Sequence, residues 1–161
     1  MRRKDKEIND IKEMMRIVES SRIMHLGICQ DDQPYVIPLN FGFQYNGSNI
    51  KIYFHSAKAG RKIDFINKNK KCAVEMTSYF ELEKGETACD WSAFHESIMI
   101  EGRISLIEDE NEIRMAMDRI MEHYGFEGVP VYEDKFIKAM AVYCIDVDNI
   151  SGKRNLPKIK I

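Results

Sequence analysis

Paired cysteines, long apolar runs and an excess of one charge are all missing from this 161-residue chain, and each absence removes a class of function. Lys and Arg number 24 against 26 Asp and Glu, so a net charge of −2 offers no basic face for nucleic acid. No apolar stretch approaches the roughly 18 residues of a membrane span. The opening "MRRKDKEINDIKEMM" is charged throughout and lacks the apolar core of a leader, which makes the cytoplasm the expected location. Cys29, Cys72, Cys89 and Cys144 never form a C-x-x-C pair and are expected to be reduced thiols. His25, His55, His95 and His123 bring no close ligand pair, so no metal site is expected. With four prolines and no linker rich in Pro, Gly or Ser, residues 1–161 are expected to form one domain.

What is present is strand patterning with helices spliced in. Ile8, Ile11, Met15 and Val18 recur at helical steps and predict an amphipathic helix within residues 1–20. "RIMHLGIC" reads as a strand and "QDDQP" as a turn. "YVIPLNFGFQY" alternates without a break, with Tyr35, Ile37, Leu39, Phe41, Phe43 and Tyr45 on one face. Asn46-Gly47 predicts a tight hairpin that returns as "NIKIYFH". A helix is predicted over residues 59–69, with Ile63 and Ile66 inward. Strands follow in "KCAVEMTSYFEL" and "ESIMIEGRISLIE", separated by the polar loop "EKGETACDWS". Asp109 is placed to cap a helix running to Glu122, and "AVYCIDVDNISG" is the last strand before a basic tail over 153–161. Hairpin-linked strands with three helices argue for a mainly β (α+β) domain, an antiparallel barrel flanked by helices.

One stretch departs from generic core. In "FHSAKAGRKID" a strand ends in small residues and opens a helix that begins with two cations. Free N–H groups at a helix start favour an anion. Arg61 adds a forked donor, Lys62 a second charge, Ser56 a hydroxyl, and Gly60 lets a ligand approach the backbone. That set suits a phosphate monoester, and it equally suits a solvated helix start. The hairpin before it tips the balance: the face carrying Val36, Pro38, Asn40 and Gly42 is lean enough for a flat ring to lie against. Pro38 also implies an edge or a bulge.

"PYVIPLNFGF", "IYFHSAKAGRKIDFI", "CDWS" and "AVYCIDVDNISGKR", in that order, resemble the nitroimidazole-resistance (Nim-like) branch of the pyridoxamine 5′-phosphate oxidase superfamily. The resemblance runs from about Arg22 to Arg154. It implies a split β-barrel that forms a homodimer and holds FMN, or FAD in some members, at the subunit interface. It places Pro38, Leu39, Asn40 and Phe41 beside the isoalloxazine ring, His55 and Ser56 near the ring and ribityl chain, and Arg61 and Lys62 on the phosphate. Trp91 and Ser92, with Cys89, would approach the flavin from the other subunit, Trp91 as a lid or as an interface anchor. "SGKRNLPKIKI" lacks the Arg and His segment with which the vitamin B6 enzymes grip their substrate. The expected activity is therefore an FMN-dependent oxidoreductase acting on a small electrophile such as a nitroaromatic. His55 would be proton donor or flavin hydrogen-bond partner. The rival readings are a flavin storage or sensing protein and a haem-binding split barrel, with His25, His95 and His123 as axial candidates.

Overall fold

In the computed structural model, residues 3–156 are described. Strand β1 (Glu7–Ile8) is followed by helix α1 (Ile11–Ser20) and strands β2 (Met24–Gln30), β3 (Gln33–Leu39), β4 (Gly42–Tyr45) and β5 (Ile50–Ala57). Helix α2 (Arg61–Lys68) leads to the long strands β6 (Lys71–Glu83) and β7 (Ser92–Ile107). Helices α3 (Glu110–His123) and α4 (Asp134–Ala139) precede β8 (Met140–Asn155).

All pairings are antiparallel, in the order β3-β2-β6-β7-β8-β5-β4, with β1 added on β8. The two ends of that order do not pair, so the sheet curls into a barrel that stays open along one side. This is the split β-barrel with flanking helices. Inside it lie the inward faces of the strands, including Leu26, Ile52, Phe54, Met76, Ile98, Ile100 and Ile145. Helix α1 closes one side with Met14, Met15, Ile17 and Val18. A second cluster forms outside the barrel wall, where Tyr53, Val142 and Cys144 meet Ala116, Met117 and Ile120 of α3 and Ile137 of α4. Strands β5 and β8 are thus covered on both faces. That is why "IYF" and "AVYCI" read as continuous apolar runs instead of alternating ones.

Turn chemistry does what the residue types require. Asp31 and Asp32 both take positive φ, 47° and 62°, the geometry of a two-residue turn that follows the twist of β2 and β3. Asn46 holds the β4–β5 turn by accepting from Ser48 N and Asn49 N through its side chain, at 3.1 and 2.8 Å.

Four expectations are corrected. Ile8 is not helical: it pairs with Gly152 in the sheet, and the helix begins after Asp10, whose carboxylate accepts from Lys12 N at 2.9 Å. The stretch from Tyr35 to Tyr45 is not one strand. Residues 33–39 pair with β2, whereas residues 42–45 pair with β5 at the opposite end of the sheet order, so the chain crosses the split at Asn40 and Phe41. Helix α4 was not expected; its six residues are too few to develop a legible period. Lys153, Arg154 and Asn155 continue β8 and do not start a loose tail; residues 157–161 of that expectation lie outside the described residues.

Candidate functional site

Strand β5 is covered by β4 only as far as Tyr53. His55, Ser56 and Ala57 therefore keep one free edge while pairing with Val142, Ala141 and Met140 on the other. Across the split, β3 is the terminal strand of the sheet. Pro38 sits there, where a missing N–H costs no ladder bond to a further strand. Between these edges the chain leaves β5, turns at Gly60 and enters α2. Gly60 has φ 125° and ψ 167°, a region closed to residues with a Cβ. Its carbonyl accepts from Ile63 N at 2.8 Å and Asp64 N at 3.2 Å. No side chain caps the helix.

Arg61 extends from the first turn and lays its guanidinium on the ring of Tyr35, 4.6 Å from the centroid. The Phe65 ring, one helical turn along, lies 5.2 Å from it. Tyr35 and Phe65 also meet edge-on at 5.5 Å. A cation from α2 is thus shelved on an aromatic from β3. Among the described residues neither Arg61 nor Lys62 forms an ion pair, so both charges remain uncompensated. Burial pushes the Lys62 amine below its ordinary range. His55, on the exposed edge of β5, is likewise held below the usual imidazole value, by desolvation first and by the charge of Lys62 second. Its ring is therefore neutral near pH 7. No described donor or acceptor fixes it.

The other expected residues divide. Pro38 and Asn40 are exposed and Ser56 is half-buried. Leu39 packs into the barrel core. Phe41 is fully buried, its ring 4.3 Å from that of His123, and its N–H donates weakly to the Tyr124 hydroxyl at 3.4 Å. Gly42 corrects part of the lean-face argument. A Cβ there would lie 2.4 Å from Arg119 C and Ile120 N, so the glycine admits the backbone of α3. Val36, Pro38 and Asn40 stay open, but Gly42 belongs to another strand and faces a helix.

Trp91 and Ser92 lie at the tip of the β6–β7 hairpin. The loop before them is closed by the Thr87 and Asp90 capping box, and the Trp91 indole N–H donates to Gly85 O at 3.1 Å. Among the described residues no hydrogen bond, ion pair or ring contact joins this tip to the corner at Arg61. Among the described residues no group of three metal-ligating side chains occurs, and no helix is long and apolar enough to cross a membrane. Sequence reasoning missed Tyr35 and Phe65. The four-residue step from Arg61 to Phe65 was a usable signal; the meeting with Tyr35 depends on how the barrel closes.

Residues 10–154 match the family profile described as pyridoxamine 5′-phosphate oxidase. A crystal structure of a candidate 5-nitroimidazole antibiotic resistance protein from Bacteroides thetaiotaomicron is 30% identical, with TM-score 0.79 over 91% of this chain and 85% of that one. A FAD and haem binding protein from Mycobacterium smegmatis shares the fold at 15% identity, TM-score 0.79, over 94% of this chain and 74% of that one. An uncharacterized protein of Rhizobium meliloti is 24% identical over 88% of this chain and 90% of its own. The profile match takes in the open barrel, both sides of its split and the hairpin tip, and the chain accordingly belongs to the pyridoxamine 5′-phosphate oxidase family.

Proposed function

We propose that this protein is a flavin-binding oxidoreductase that holds FMN along the barrel split and reduces small electrophiles of the nitroaromatic type. One observation carries the reading: Arg61 and Lys62, at an uncapped helix start, have no anionic partner among the described residues. Two cations beside free backbone N–H groups suit a phosphate monoester. The Tyr35 shelf orients the Arg61 fork. His55 and Ser56 lie on the part of β5 that β4 does not cover, just before the cradle in sequence, and exposed Pro38 and Asn40 leave room for a flat ring. When bound, the flavin supplies the hydride chemistry, and the protein supplies binding, orientation and exclusion of water. His55, neutral near pH 7, can accept a proton or donate its one N–H to a ring heteroatom. Trp91 and Ser92 share no hydrogen bond, ion pair or ring contact with the cradle among the described residues; in a homodimer the partner's hairpin tip would complete the site.

Replacing Arg61 and Lys62 together by Ala tests this. Two charge-assisted hydrogen bonds at about 1.5–3 kcal/mol each correspond to a loss of FMN affinity of at least about 100-fold, with far-UV circular dichroism unchanged. Unaltered FMN retention would falsify the cradle. A second reading, flavin storage or sensing, has a specific observation behind it: His55 has no hydrogen-bonded partner that would make an acid–base dyad. Flavin that bleaches with NADH or NADPH yet is not reoxidised by any nitroaromatic would favour storage.

A further inference from the structure

Helix α2 has two working faces. Arg61 and Phe65 lie toward Tyr35. Ile63 and Asn67, also one turn apart, line a separate cavity of about 540 Å³ bounded by α2, the end of β7, the start of α3 and α4. That volume lies in the range that holds a small organic ligand. The walls are apolar, from Ile63, Ile113, Ile137, Met140 and Ala141.

Asn67, at the exposed side, and Tyr143 interrupt them. Tyr143 is 3% exposed, stacks on Phe54 with ring centroids 5.1 Å apart, and lines the cavity. Among the described residues nothing hydrogen-bonds its hydroxyl. A buried phenol ordinarily finds a partner, and here the space that can deliver one is the cavity. Burial also pushes the Tyr143 pKa up, so the phenol is present as a donor.

The mouth of the cavity carries charge. Lys58 and Lys138 are exposed there and have no ion pair among the described residues. Of the two carboxylates at the rim, Glu110 is held by Arg114 at 2.8 Å and Glu108 is unpaired. Two free cations against one free carboxylate leave a single positive charge, which suits a monoanion better than a phosphate dianion.

We infer that this cavity binds a small apolar monocarboxylate carrying a second hydrogen-bonding group, with its carboxylate at Lys58 and Lys138, its body against the apolar walls, and its second polar group on Tyr143. The site stands across α2 from the flavin cradle and does not rest on the flavin reading.

The probes are 4-hydroxybenzoate and benzoate, titrated calorimetrically into the protein as purified, with and without excess FMN. The hydroxylated probe is expected to bind about fivefold more tightly, one hydrogen bond's worth, and Tyr143→Phe to abolish that preference while benzoate affinity holds. Lys58→Glu with Lys138→Glu, both at exposed positions, is expected to weaken both probes at least tenfold. Absence of saturable binding at millimolar probe, a preference that survives Tyr143→Phe, or indifference to the lysine changes overturns the inference. So does displacement of the probes by FMN, which would make the cavity part of the flavin site. Loss of FMN binding in the Arg61 and Lys62 variant, with probe binding intact, separates the two sites.

Discussion

At the residue scale the informative groups are those whose partners are missing or unusual. Arg61 rests on Tyr35 instead of a carboxylate, so its charge stays available while its geometry is restrained, at a cation–π gain of about 0.5–1 kcal/mol for an exposed site. His123 is the reverse case. Its Nε2–H donates to Ser21 O at 2.8 Å, its ring packs on Phe41, and its buried Nδ1 has no partner. Burial, reinforced by Arg22 and opposed by the Ser21 bond, holds its pKa below the ordinary value. A histidine depressed in the folded state favours folding when neutral. Its contribution is complete above the unfolded value near 6.5 and is lost as pH falls through the lowered folded value. Thermal unfolding followed from pH 7.5 to 5 should therefore show stability falling on the acid side, by up to about 1.4 kcal/mol per pH unit from this group. His123→Gln, which can still donate to Ser21 O, should flatten that slope. An unchanged slope would mean that other groups govern the acid limb. Histidine content was plain in the sequence, but which nitrogen is buried depends on α3 lying over Phe41 and Ser21.

At the scale of elements, a short ion network fastens α1 to the barrel. Glu96 of β7, 6% exposed, accepts from Arg16 of α1 at 2.6 Å and from Arg154 of β8 at 2.6 Å. Arg154 also reaches Glu13 at 2.5 Å. Burial by itself would raise the Glu96 carboxyl, but the two arginine hydrogen bonds outweigh it and hold the pKa below the ordinary range. Glu96→Gln removes the charge that both arginines share. Because the arginines can still turn toward water, a loss of about 2 kcal/mol is expected, short of the full penalty for a buried unpaired charge, measured by urea unfolding. A cost within a few tenths of a kcal/mol would show that the network is dispensable. "KRN" reads as the start of a tail because Lys and Arg in sequence suggest solvent. Its place in β8 follows from pairing with β7 and β1, and the basic residue is retained because two carboxylates face it. The same logic explains the break at Asn40 and Phe41. Alternation continues through both residues, and nothing local says that the two halves pair with opposite ends of the sheet.

For the whole molecule, the β6–β7 hairpin extends past its pairing with β2, which ends at Glu75. Beyond that point it exposes Phe80, Leu82 and Trp91, at 65, 52 and 49%. Apolar side chains gathered on a projecting ribbon fit a surface that another subunit covers. Light scattering should give a dimer. Phe80→Lys with Leu82→Lys should shift it toward monomer and weaken FMN retention, whereas a dimer unaffected by both changes would place the interface elsewhere. Much of this architecture was legible in the order of residues. Periodicity marked most strands and three of the four helices, and the turn at Asn46-Gly47 was visible. The cationic start of α2 was also visible, because these signals act between residues close in sequence. The opening of the barrel, the burial of Phe41, the service of Gly42 to α3, the Tyr35 shelf and the unpartnered Tyr143 hydroxyl all came from long-range closure. Each depends on which distant strands meet, and side-chain pattern alone specifies a face without naming the surface it will lie against.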